Sequence, residues 1–147
     1  MTKALRAGCH YFAAAFAVGF VLGVLRTLLL VPRVGETAAV LVELPIMLGA
    51  SWLICGRILR RSPLSPGEAV VTGACAFVLL MIAELSLSVL LAKRTLPAHL
   101  ALYSETAHLL GLAGQIVFAL FPVVRTMLAG HRLEPERSDP RAPPSGR

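Results

Sequence analysis

The sequence predicts an all-α membrane protein, a four-transmembrane-helix bundle with both termini inside, and three observations carry that prediction. The 147 residues are 56% hydrophobic with a mean hydropathy of +0.76, far above what a soluble domain of this length shows. The apolar residues gather into four runs, each near the roughly 20 residues that cross a hydrocarbon core about 30 Å thick. Lys and Arg divide unequally between the two ends of those runs.

The first span is expected at about 8–31, within MTKALRAGCHYFAAAFAVGFVLGVL and its continuation. LRAGC looks like a lipoprotein cleavage box, but the eight residues before Cys9 contain no apolar core, and the run continues to Val31 without a cleavage site. An uncleaved span is the expectation. VPRVGE (31–36) supplies turn residues before a second span at about 37–59. The Pro-, Ser- and Arg-rich RRSPLSPG (60–67) leads to a third at about 68–92, and KRTLPAHLALYS (93–104) leads to the fourth at about 105–128. These spans make one transmembrane domain over 1–129. From 130 to 147 the chain holds four Pro and four Arg and almost nothing apolar, so a disordered cytoplasmic tail is expected.

Orientation follows from the positive charges. With the N-terminus inside, Lys3, Arg6, Arg57, Arg60, Arg61, Arg125, Arg132, Arg137, Arg141 and Arg147 face the cytoplasm, against Arg26, Arg33, Lys93 and Arg94 outside. The ratio favours N-in and C-in. The net charge of +6 never forms a basic stripe with interleaved aromatics, so no nucleic-acid partner is expected. The bilayer is the expected partner, with a homo-oligomer or larger membrane complex compatible with the same surface. Twelve of the 14 cations are Arg, which with the abundant Ala, Leu, Gly and Val points to a GC-rich bacterium and its inner membrane.

Several polar residues interrupt the apolar runs. Arg26 and Glu43 lie about equally far from the centre of the first turn, so an antiparallel hairpin brings them to one depth. Each alone would cost roughly 2.5 to 3.5 kcal/mol at a span centre, and a shared charge-assisted hydrogen bond offsets part of that. Glu84 and His108 fall in the same outer half, with Gln115 two turns deeper than His108. One Arg does not neutralise two carboxylates. Glu84 must therefore be protonated, pair with His108 or bind an external cation.

Helical spacing aligns these residues with small neighbours. Arg26 shares a face with Gly23, Gly19 and Ala15, a pattern that permits close helix packing; His108, Gly111, Gln115 and Pro122 form a second stripe. Gly73, Phe77, Glu84 and Ser88 align on the third span, and Ala39, Glu43 and Ala50 on the second. Pro45 and Pro122 remove backbone donors within their spans, which kinks a helix or frees a carbonyl. Trp52 sits mid-span, facing lipid or packed.

The chemistry of a catalyst is not in evidence. No Ser/His/Asp arrangement, HExxH, Walker loop or dinucleotide fingerprint occurs, and no cofactor is implied. Cys9, Cys55 and Cys75 lack the spacing of a disulfide framework; with His10 they offer soft ligands at one end of the bundle, without a recognised metal-site spacing. Residues 19–52, GFVLGVLRTLLLVPRVGETAAVLVELPIMLGASW, resemble small uncharacterised four-span bacterial inner-membrane proteins, with an Arg near the end of the first span, a PRxGE-like turn and a Glu before Pro in the second. That resemblance implies a fold and a location and supplies no activity. Similarity to small multidrug exporters is weaker, because those have a Glu in the middle of the first helix where this chain has Ala and Gly. Two functional classes follow: a structural or accessory membrane component, and a small transporter or proton-coupled permeation unit using the Arg/Glu/His cluster.

Overall fold

A computed structural model describes residues 1–90, 93 and 95–133, and every regular element among them is helical. In chain order these are α1 (Thr2–Leu25), a π-helical turn (Arg26–Leu30), α2 (Val31–Val34), α3 (Glu36–Arg61), α4 (Pro66–Leu90), α5 (Leu96–Ala101), a 3₁₀ turn (Leu102–Ser104) and α6 (Thr106–Leu133). Four helical stretches are long and apolar enough to cross a membrane: Thr2–Val34, Glu36–Arg61, Pro66–Leu90 and Thr106–Gly130. The helices of the first, second and fourth spans end beyond the predicted limits, α4 begins two residues before its own, and residues 91–92 of the expected third span lie outside the described residues. Residues 130–133 of the expected tail continue α6, and the rest of that tail lies outside the described residues.

The expected loop at 31–36 is nearly absent. Helix continues through α2 to Val34, and Gly35 alone turns the chain into α3, with φ 80° and ψ 168°. Only glycine adopts that region readily, since any Cβ would clash with its own backbone. The π turn just before it has a local cause. Pro32 lacks an N–H and its ring crowds the carbonyl four residues back, so the preceding turn widens and the Val31 N–H reaches the Arg26 carbonyl instead. Arg33 then donates to the Leu29 carbonyl of the π turn at 2.9 Å.

The start of α4 is fixed by a reciprocal cap. The Ser65 N–H donates to Glu68 Oε2 at 2.9 Å, and the Glu68 N–H donates to Ser65 Oγ at 3.3 Å, with Pro66 in the first turn where its missing donor costs nothing.

The long helices form a four-sided bundle. α1 packs against α3 and α4, and α6 packs against the same two, which leaves α1 diagonal to α6 and α3 diagonal to α4. Packing is tight in the half that carries the chain's beginning and the end of α6. Ala4, Ala7, Tyr11 and Ala15 of α1 are buried there, with Ser51 and Cys55 of α3, Ala69, Thr72 and Ala76 of α4 and Phe118 of α6. Small side chains let the backbones approach: a methyl on Gly8 would lie 2.9 Å from the Thr72 carbonyl oxygen, and one on Gly73 would strike the Ala119 carbonyl. Thr72 ties the first of these contacts by donating to the Ala4 and Glu68 carbonyls at 3.1 and 2.8 Å.

Close packing therefore runs through Gly73, a member of the expected third-span stripe, and through Gly8, about two turns before Ala15 on α1. Ala15 is buried as expected, and Gly19 meets only the Met47 side chain, while Gly23 and Gly111 have open space where a Cβ would be. Gly23 and Gly111 border a void.

Gly35→Ala isolates the conformational term, because no atom lies within 4 Å of the added methyl. Holding a non-glycine residue at that backbone geometry should cost on the order of 1 to 3 kcal/mol. A lower melting temperature in detergent, with unchanged helicity, is the expected result. Melting at the wild-type temperature would show that the turn relaxes freely.

Candidate functional site

The void is a cavity of about 800 Å³ in the half of the bundle that carries Gly35 and the connection between α4 and α6. Its apolar floor includes Phe16, Met47, Leu80 and Phe118. Above that floor every long helix contributes a polar side chain to its wall: Arg26 beside α1, Glu43 of α3, Glu84 and Ser88 of α4, His108 and Gln115 of α6. Gly19, Gly23, Gly111 and Gly114 line it as well, so the small residues make room rather than close it.

Arg26 and Glu43 meet. The Arg26 Nε lies 2.9 Å from Glu43 Oε2, although its N–H is not aligned on that oxygen as a hydrogen bond requires. The contact is an ion pair, with the two side chains 28% and 16% exposed toward the cavity. Position in the chain explains it: Arg26 begins the π turn, and Glu43 lies two turns into α3 beyond a one-residue connection.

Glu84 finds a different partner from the one expected. Gln115 Nε2 donates to Glu84 Oε1 across α4 and α6 in a short contact. His108 instead sits at the mouth, with Nδ1 3.5 Å from Glu105 Oε2 and its ring edge-on to Tyr103 at 6.4 Å. That contact is ionic only when the imidazole is protonated. Burial pushes the Tyr103 phenol up from its ordinary value, and the negative charge of Glu84 adds to the effect. Tyr103 therefore stays protonated at neutral pH and keeps its O–H as a donor.

The unsatisfied polar atoms single out the same region. Among the described residues, Arg26 Nε, Ser51 Oγ, Ser88 Oγ, His108 Nδ1, Gln115 Oε1 and Arg125 Nε are buried without a hydrogen-bond partner. All but the last belong to residues lining the cavity. Ser51 is the sharpest case: the residue is 1% exposed, and its hydroxyl lies at the deep end of the void. A buried polar atom without a partner costs about 1 to 3 kcal/mol, so this concentration suits a space filled by something able to hydrogen-bond.

Below the floor the bundle is closed by aromatic rings. Tyr11 stacks on Phe118 with centroids 4.3 Å apart, and its hydroxyl donates to the Phe118 carbonyl at 3.0 Å. That carbonyl is free because its normal helical donor would be residue 122, which is Pro. Trp52 meets Phe121 edge-on at 5.1 Å, and the Arg125 guanidinium lies 4.2 Å over the Trp52 ring. Gly56 makes room for it, since a Cβ there would run into Arg125. Sequence reasoning counted Arg125 only as a cytoplasmic cation and left Trp52 undecided. The legible signal was Trp52 and Gly56, four residues apart on one face of α3.

Pro45 and Pro122 both lie inside their helices, Pro122 fully buried. Of the soft ligands only Cys9 and Cys75 meet, through a side-chain hydrogen bond, while Cys55 is in the core and His10 Nδ1 contacts the Arg6 carbonyl at 2.7 Å. No group of three or more His, Cys, Asp or Glu able to hold a metal occurs among the described residues. No family model matches the chain, and neither the curated proteins nor the solved structures give a match.

The Arg26–Glu43 contact has a direct test. Arg26→Ala or Glu43→Ala strands its partner, at a cost between the about 1 kcal/mol of an exposed pair and the about 3 to 5 kcal/mol of a fully buried one. The double substitution should recover at least about 0.5 kcal/mol of the summed losses in a double-mutant cycle read by detergent unfolding. Strict additivity would mean that the pair contributes no coupling.

Proposed function

We propose that this chain is a multi-pass protein of a bacterial inner membrane, with both termini in the cytoplasm, that admits a small amphiphilic ligand from the outside into the cavity. This makes it the binding unit of a small transporter or permeation pathway. The reading rests on one observation: a cavity of about 800 Å³ holds Arg26, Glu43, Glu84, His108 and Gln115 above an apolar floor. That volume falls in the range of sites that enclose small molecules, and the mixture of a few polar groups with apolar walls is typical of them. Both charge signs are present, so the complementary ligand carries hydrogen-bonding groups at its head and an apolar body for Phe16, Leu80 and Phe118.

The orientation inferred from Lys and Arg puts the mouth outside and the closed aromatic layer toward the cytoplasm. Ligand thus enters from one side, and passage across requires that Tyr11, Phe118, Trp52 and Phe121 separate. A second reading has its own observation. The Arg26–Glu43 ion pair clasps the first hairpin at a fixed register, which suits a structural or accessory subunit that presents a rigid face to a larger complex.

Orientation is tested by reporter fusions. Fusions after residue 64 should report cytoplasm, and one after residue 34 should report the outside. The opposite pattern would put the cavity on the cytoplasmic side and remove the uptake direction.

Binding is tested by filling the void. Gly111→Phe adds a ring where no atom lies within 4 Å of the new Cβ, so folding should be preserved. Wild-type protein extracted in mild detergent should carry a small molecule visible by native mass spectrometry, and Gly111→Phe should lack it while melting no lower. An empty wild type, or equal occupancy in both, would leave the accessory reading in its place.

A further inference from the structure

A second cavity, of about 440 Å³, opens at the opposite end of the bundle from the first. It lies between the first turns of α1, which contribute Thr2, Lys3, Arg6, Ala7 and His10, and the end of α3, which contributes Ile58, Arg61 and Ser62. Three cations line it and no carboxylate does. Lys3, Arg6 and His10 follow at i, i+3 and i+7, which sets them along one face of α1, and Arg61 comes to them from the neighbouring helix.

The charges are not spent on one another's neighbours. Neither Arg6 nor Arg61 is in an ion pair among the described residues. Lys3 donates to the Pro63 carbonyl, a neutral acceptor, and makes no ion pair within 4 Å among the described residues. Glu68 faces Lys3 from α4, and its carboxylate is engaged by the Ser65 N–H. Two guanidiniums and an ammonium around one pocket are suited to a phosphate, which Arg binds through two parallel hydrogen bonds.

Depth selects the form of the phosphate. Lys3 and Arg6 stand where α1 begins its apolar run, and Arg61 stands where the apolar part of α3 ends. Ala7 and Ile58 form the apolar side of the pocket, and Leu5 and Leu53 are exposed on the same two helices. A group here has its phosphate at the polar boundary and its hydrocarbon along the helices. We propose that the Lys3, Arg6, His10 and Arg61 pocket is a binding site for a phosphate anion, met chiefly as the headgroup of an anionic phospholipid. The site is separate from the large cavity, and both leaflets offer phospholipid, so it stands whichever face the termini occupy.

The test compares two ways of removing two charges. Arg6→Gln/Arg61→Gln empties the pocket, while Arg57→Gln/Arg60→Gln removes the same charge from α3 residues that do not line it. Purified proteins are titrated with phosphatidylglycerol, phosphatidylcholine and inorganic phosphate, read by native mass spectrometry and melting temperature. Phosphatidylglycerol should bind the wild type and the Arg57/Arg60 variant alike. Its binding to the Arg6/Arg61 variant should weaken about ten- to hundredfold, as expected from losing hydrogen bonds to a charged group.

Inorganic phosphate that competes with the lipid and stabilises the wild type, but not the Arg6/Arg61 variant, would support the same site with a soluble source. Equal weakening in both double variants would reduce the effect to overall charge and overturn the proposal. So would wild-type binding of phosphatidylcholine as tight as phosphatidylglycerol. The single variants Arg6→Gln and Arg61→Gln, each melting near wild type without lipid, keep the result readable if the double variant folds poorly.

Discussion

The rest of the bundle depends on one carbonyl. Pro122 takes away the donor that would close the helical hydrogen bond to Phe118, and a carbonyl left bare in an apolar interior is costly. The Tyr11 hydroxyl supplies the missing donor from the helix diagonally opposite, and its ring stacks on Phe118 as it does so. α1 and α6 share no backbone contact, so this side chain spans the centre of the bundle. Around it the small residues of all four helices fit, with Ala15, Cys55 and Ala76 in the same buried cluster. Tight packing in one half follows from satisfying a single acceptor.

The other half obeys the opposite rule. There four glycines and the polar side chains of Arg26, Glu43, Glu84, Ser88, His108 and Gln115 stand among apolar ones such as Phe20, Leu44 and Leu87, and the glycines leave space that a larger side chain would fill. For helices long and apolar enough to cross a membrane, surrounding lipid would offer no hydrophobic gain for closing the gap, because lipid chain and side chain are equally apolar. The ion pair and the Glu84–Gln115 hydrogen bond hold the walls apart at a defined width while satisfying part of their own polarity. What they leave unsatisfied points into the cavity. An apolar floor below a chamber with polar groups in its wall makes the molecule asymmetric along its axis.

Much of this was legible in the sequence, for reasons that differ by residue. The four spans are a matter of length and apolar content. The Arg26–Glu43 contact could be read by counting from the first turn, because the connection there is one residue long and equal counts on its two sides reach nearly equal depth, with a single π turn between Gly35 and Arg26. The Glu84 partner could not be read that way. A helix and a 3₁₀ turn occupy the connection between α4 and α6, so equal counts from its middle do not mean equal depth, and Gln115 rather than His108 comes opposite. Spacing also identified glycines without saying what they faced. Gly8 and Gly73 admit a neighbouring backbone, whereas Gly23 and Gly111 face empty space; that distinction is set by the partner helix and is invisible on a single strand of sequence.

The one-residue turn at Gly35 has a mechanical consequence. A connection without slack does not let α1 and α3 slide along each other, since an axial step of even one residue, about 1.5 Å, would have to be absorbed by a single pair of dihedral angles. The first hairpin therefore moves as one lever. The connection from α4 to α6 contains α5 and a 3₁₀ turn and so imposes no such one-residue constraint. The Tyr11–Phe118 tie joins this lever to α6 across the bundle.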